Sequence, residues 1–187
     1  MSQFTEYPKA AEIEASAWIN TAKPLSLAQM RGTVVVIHVF QMLCPGCVLH
    51  GIPQTQLIRQ TFSEKQVKVL GLHSVFEHHS VMNIDALRAF SAEYRITFPI
   101  AIDAPSTSGH IPKTMQRYGL QGTPTLILID KLGRLRLQHY GKIADMQVAK
   151  LISELVGEQQ DELQLETATT TLDSEKDTQC TDTGCQL

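Results

Sequence analysis

The chain has 187 residues, 43% of them hydrophobic, with 16 basic and 19 acidic side chains and a net charge of −3. That length is enough for one domain with its own core. The near-neutral balance offers no basic surface for nucleic acid or an anionic membrane, and no apolar run approaches the ~20 residues that span a bilayer.

The charge is unevenly spread. Residues 157–187 carry eight acids and one base, Lys176, whereas residues 1–156 carry 11 acids and 15 bases. Three segments are expected: 1–32 as an N-terminal extension packing on the domain, 33–156 as the domain, and 157–187 as an acidic, flexible tail. The opening run, Met1 to Pro8, has no basic start and no apolar segment of the secretory kind. The expected compartment is the cytoplasm, where disulfides are mostly transient and catalytic.

Residues 10–20 read as a helix, with Ile13, Ala17 and Trp18 on one side. Lys23 to Leu27 is a short extended entry and Arg31-Gly32 a turn. Thr33 to Phe40 is almost wholly apolar and largely β-branched, the pattern of a strand buried on both faces. Residues 45–62 carry a helical pattern that Gly51 and Pro53 interrupt, so a kink is expected near Pro53. Val67 to Leu72 is a second strand. Residues 83–95 form a helix, with Asn83 as N-cap and Ile84, Leu87, Phe90 and Tyr94 at helical spacing. Phe98 to Ile102 is extended, 104–110 a loop, and 112–118 a short helix. Pro124 to Asp130 is the third main strand, and Leu132-Gly133 turns it into an alternating hairpin partner, Arg134 to Tyr140. Ala144 to Val156 closes the domain as an amphipathic helix. A βαβ crossover followed by a hairpin and a last helix predicts an α/β fold, a mixed central sheet with helices on both faces.

Between the first strand and its helix stands Cys44-Pro45-Gly46-Cys47. Strand, short loop, Cys-x-x-Cys and helix is the context in which this motif reads as a redox dithiol. A helix N-terminus carries partial positive charge and unpaired N–H groups, which favour a thiolate. Cys44 is then the exposed nucleophile and Cys47, one turn in, the thiol that closes the disulfide. A zinc site commonly needs four ligands, often a second Cys-x-x-Cys, and the chain has no second one.

These residues resemble the thioredoxin-like superfamily, most closely the TlpA/ResA-type thiol–disulfide oxidoreductases and the related AhpC/TSA redoxins. Four features carry the resemblance: Trp18-Ile19-Asn20 leading into Pro24 to Leu27 and Arg31-Gly32; the strand into Cys44 to Cys47; Gly71-Leu72-His73-Ser74, as in DipZ-like domains; and Gly122-Thr123-Pro124-Thr125 before the third strand. The resemblance spans residues 16–156. It implies a thioredoxin-like fold, a cis Pro124 facing the dithiol, and backbone groups of Thr123 offered to an extended substrate. It also implies a disulfide- or dithiol-containing protein substrate, a partner that recycles the dithiol, and no bound cofactor. Two positions depart from the family. His38 stands six residues before Cys44, where thioredoxin has a buried Asp, and His50 stands where TlpA-type proteins often have Glu.

His38 reads either as the acceptor of the proton Cys47 must lose or as a core histidine bonded to a backbone carbonyl. His50 reads as a tuner of the thiols or as an exposed helix residue. His73, His78 and His79, with Glu77 among them, suggest a transition-metal cluster or a plain polar loop. Cys180 and Cys185 read as an auxiliary dithiol, as incidental tail thiols or as a soft-metal pair. The function expected is thiol–disulfide exchange. The rivals are a peroxiredoxin-like antioxidant peroxidase and a non-enzymatic redox-sensing or metal-binding protein. The peroxidase is disfavoured because Phe40 to Leu43 lack the Pro-x-x-x-Thr-x-x-Cys context.

Overall fold

The continuous apolar run becomes the central strand. In the computed structural model, which describes residues 7–107 and 109–158, Val34–Phe40 (β2) is buried at all seven positions. Its residues alternate between two core layers. Val34, Val36 and Phe40 enter one, while Val35, Ile37 and Val39 enter the other. Both faces are covered, so an unbroken hydrophobic sequence is required.

Ten elements follow in chain order: β1 (Ala15–Ile19), β2, α1 (Ile52–Thr61), β3 (Val67–His73), α2 (Ile84–Glu93), β4 (Ile100–Asp103), α3 (Lys113–Arg117), β5 (Thr125–Ile129), β6 (Leu135–Tyr140) and α4 (Asp145–Gly157). A 3₁₀ turn, Ala28–Met30, and a π-helical turn, Cys47–Gly51, supplement them. The six strands form one sheet in the order β1-β4-β3-β2-β5-β6. β2, β3 and β4 are parallel, and β1, β5 and β6 run antiparallel to their neighbours. Residues of α1, α2 and α4 pack on the Phe40 side, and those of α3 and the 3₁₀ turn on the other. This is the α/β architecture with helices on both faces. No helix among the described residues is long and apolar enough to cross a membrane.

One sequence expectation changes and a second gains detail. The helix read over residues 10–20 is instead an edge strand, β1, paired with β4 through Trp18↔Ala101 and Ile19↔Ile100. Its alanines favour helix weakly, but an isolated helix this short is marginal. Pairing along the open edge of β4 outweighs the local preference. The Asn20 amide then pins the strand end by donating to the Ile96 carbonyl at 2.8 Å and to Ser91 Oγ at 3.0 Å.

Where a kink is expected near Pro53, the chain forms the π-turn. Ile52 N–H bonds the Cys47 carbonyl, five residues back, and α1 starts there with Pro53 in its first turn. In a regular α-turn the Pro53 ring would press on the carbonyl four residues earlier. The wider turn relieves it.

Elsewhere the caps are local and legible. Asn83 Oδ1 accepts from Ala86 N–H at 3.0 Å. The buried Asp103 caps α3 from a distance, accepting from Thr114 N–H at 2.8 Å, Met115 N–H at 3.0 Å and the Ser74 hydroxyl at 2.8 Å.

Candidate functional site

The parallel strands end together, and their C-terminal ends carry the site. β2 stops at Phe40, and Gln41 turns the chain. The Gln41 carbonyl accepts from Cys44 N–H at 3.2 Å, and the Cys44 carbonyl accepts from Val48 N–H at 3.1 Å. The Gln41 side chain is 1% exposed and joins this loop to the one after β3. Its Oε1 accepts from Phe76 N–H and its Nε2 donates to Glu77 Oε1, each at 3.3 Å.

Cys44 and Cys47 are free thiols with unequal surroundings. Cys44 is half-buried, and its Sγ receives the Cys47 N–H at 3.3 Å. A thiolate is a better acceptor of that N–H than a thiol. Its thiol proton faces the Thr123 carbonyl at 3.4 Å. Cys47 is fully buried. Burial, reinforced by the adjacent Cys44, pushes its thiol up to about 12, although the Gln41 backbone pulls the other way.

Thr123 and Pro124 are brought to the dithiol from the start of β5, and the bond between them is cis. Gly46 makes room for the Pro124 ring, since a Cβ there would lie 3.1 Å from Pro124 Cδ. The loop is held from behind. Thr125 Oγ1 donates to the Gly122 carbonyl at 2.7 Å, Gly141 N–H donates to the Pro124 carbonyl at 2.8 Å, and Tyr140 packs on Gly122.

The histidines separate. His38 is buried on β2, stacked on Phe40 with ring centroids 5.7 Å apart. Its Nε2 has no hydrogen-bond partner among the described residues, and burial pulls its pKa down to about 3. The ring lies against Gly51, in the π-turn. His73 sits on the other strand beside Phe40, also buried with Nε2 unpaired, and burial lowers its pKa to about 4. His50 is exposed and lines a cleft beside Pro124. His78 and His79 are exposed while His73 is not. Among the described residues no group of three or more His, Cys, Asp or Glu is placed to hold a metal. Cys180 and Cys185 lie outside the described residues.

A family model for redoxins matches residues 9–152. The chain belongs to the redoxin family. Among solved structures, a thioredoxin-like superfamily protein is 50% identical, with a TM-score of 0.80 over 81% of this chain and 98% of its own. A thiol-disulfide isomerase from Corynebacterium glutamicum is 47% identical, with a TM-score of 0.78 over 82% of this chain and 98% of its own. Both resemblances agree with a thioredoxin-like disulfide oxidoreductase. NHL repeat-containing protein 2 of Bos taurus is 28% identical over 140 residues, 73% of this chain but 17% of that protein. The chain therefore spans about a sixth of that curated relative.

In this redoxin, Gln41 is the site residue that sequence reasoning missed. Its signal was present: an amide closing an apolar run, next to the motif loop. The contact between His38 and Gly51 gave no signal, because nothing local marks two residues thirteen positions apart as neighbours.

Proposed function

We propose that this redoxin exchanges its Cys44–Cys47 dithiol with disulfides of protein substrates, Cys44 attacking and Cys47 resolving. The observation that carries the reading is the asymmetry of the pair. Cys44 is partly exposed and faces an N–H donor, whereas Cys47 is buried with a thiol near 12. At neutral pH only one of them is placed to attack.

The electrons balance on sulfur. The Cys44 thiolate attacks one sulfur of a substrate disulfide, forming a mixed disulfide and releasing the other sulfur as a thiolate. Cys47, losing its proton to solvent or to the departing thiolate, attacks Cys44 Sγ and frees the second substrate thiol. Two electrons have passed to the substrate, and the enzyme holds a Cys44–Cys47 disulfide. Run backwards, the same steps oxidise a substrate dithiol. A separate redox partner restores the starting state, and the protein's sulfurs carry the electrons without an organic cofactor. Thr123 and Pro124 present the backbone against which an extended substrate aligns beside Cys44.

His38 is read here as a packing residue. A ring with a pKa near 3 is neutral at physiological pH, and it packs between Phe40 and the π-turn at Gly51.

The test is a Cys47→Ser variant. Mixed disulfides with substrate proteins should accumulate on Cys44 and disappear in Cys44→Ser. No trapped species, together with no reduction of a model disulfide by the unmodified protein, refutes the assignment.

A further inference from the structure

One stretch of sheet edge is left open inside the fold. β3 pairs with β2 along its whole length, but β4 joins it only from Gly71 onward. Successive residues of a strand turn their backbone groups to opposite neighbours. Gly71 N–H donates to the Pro99 carbonyl at 2.9 Å, so Val69, two residues earlier, aims its N–H and carbonyl at the same side. A continued ladder would bring the Thr97 carbonyl and an N–H of residue 99 to meet them. Neither arrives. Residue 99 is proline and has no N–H. The Asn20 amide holds the carbonyls on either side of Thr97, donating to Ile96 at 2.8 Å and to Phe98 at 3.2 Å. Val69 is 4% exposed, and these two backbone groups have no hydrogen-bond partner among the described residues. Buried backbone groups are almost always paired, so a donor and an acceptor on one residue are left for a group from outside the chain.

They border a cavity of about 350 Å³, within the roughly 300–1,000 Å³ of small-molecule sites. The cavity lies toward the start of β3, away from the strand ends that carry the dithiol, and none of its lining residues belongs to the dithiol site. Leu25, Met30, Val67 and Pro99 give it apolar walls. Its charged lining residues are Arg59, Glu64 and Lys68. Arg59 and Glu64 pair at 2.5 Å and offset each other. Lys68 forms no ion pair among the described residues. The lining therefore keeps one net positive charge, on Lys68.

We propose that this cavity binds an N-acylated amino acid, free or as the last residue of a short peptide. Its amide N–H donates to the Val69 carbonyl, and its carboxylate accepts from the Val69 N–H and from Lys68. That is the two-bond exchange of an antiparallel residue pair. The apolar side chain lies against Met30 and Pro99. Acylation matters because a free amino group would bring a second positive charge beside Lys68. The site stands apart from the thiols and does not depend on the exchange reaction.

N-acetyl-leucine is the probe, titrated into isotope-labelled full-length protein and followed by amide NMR shifts. Saturable shifts are expected at Lys68, Val69 and Leu70, half-complete at about 2 mM for a ligand of this size, with Cys44 and Cys47 unmoved. The methyl ester, which lacks the charge, should bind about 10-fold more weakly. Lys68→Met, which keeps most of the aliphatic stem, should weaken the acid by about the same factor and leave the ester unchanged. 4-Methylpentanoate has the same acid and side chain without the amide, and should also bind more weakly than N-acetyl-leucine. Tighter binding of the tripeptide Ala-Ala-Leu would assign the source to peptides and weaker binding to free acyl amino acids, and either supports the site. No saturable shift at Val69, equal binding of acid and ester, or undiminished binding of the acid by Lys68→Met overturns the proposal. The ester comparison uses the unmodified protein, so it decides the matter even if the substitution disturbs the fold.

Discussion

Gly51→Ala is the most exacting test of how the site is built. Gly51 has φ −64° and ψ −48°, ordinary right-handed helical values, so the position does not need glycine for its backbone. Alanine in a helix is normally favoured over glycine by about 1 kcal/mol. Space reverses the sign. A Cβ at Gly51 would lie 2.1 Å from His38 Cε1 and 2.5 Å from His38 Nε2, against an ordinary carbon contact of roughly 3.5–4.0 Å. The ring has little freedom to withdraw, being 2% exposed and stacked nearly parallel to Phe40. Overpacking of this kind costs about 1–3 kcal/mol. At the upper end of that range the variant should lose about 2 kcal/mol net after the helical gain. Urea unfolding reads this as a lower midpoint at constant slope. In a His38→Ala background the methyl group has room, and the same substitution should become neutral or stabilising by up to about 1 kcal/mol. If Gly51→Ala stabilises the unmodified protein, or costs the same in both backgrounds, the steric reasoning is wrong.

Three further outcomes are expected. Burial lowers the His38 and His73 pKa values from 6.5 to about 3 and about 4, so the unfolded chain binds more protons below 6.5. Stability that is complete above that pH should fall as the pH drops toward 4, by at most about 1.4 kcal/mol per pH unit for each histidine. Urea midpoints across that range should show it, with a smaller slope in His73→Phe, and a flat profile refutes it. Asp103→Ala should cost about 3 kcal/mol, because two buried α3 N–H groups and the Ser74 hydroxyl lose their acceptor. A change below ~1 kcal/mol in the unfolding free energy would show that these donors find other partners. Iodoacetamide at neutral pH should alkylate Cys44 and leave Cys47 unmodified until denaturant is added. Equal labelling of both in the native protein contradicts the asymmetry of the pair.

Much of the molecule is written locally. Val34 to Phe40 had to be a strand covered on both faces, because a continuous β-branched apolar run has no stable exposed form. Asn83 announced a helix start, and its side chain makes that cap. The Cys-x-x-Cys motif between a strand and a helix named the chemistry, since sulfur reactivity depends on residue type and close neighbours.

Other features belong to the tertiary structure alone. Residues 15–19 became a strand because β4 offered an edge, which outweighed their weak preference for helix. The π-turn after the dithiol depends on Pro53 and fits around His38, a residue from a different element. The role of His38 could not be read in advance. An imidazole titrates near neutrality in water, and only the depth of its burial and the neighbour it meets decide whether it holds a proton or fills space. The cleft beside Pro124 takes its walls from three separated segments, so neither its size nor its charge exists until they pack. Sequence by itself determined which atoms could react. The packing of distant segments decided which of the two sulfurs is exposed and what surrounds it, because exposure, desolvation and steric fit are properties of neighbours brought together by the fold.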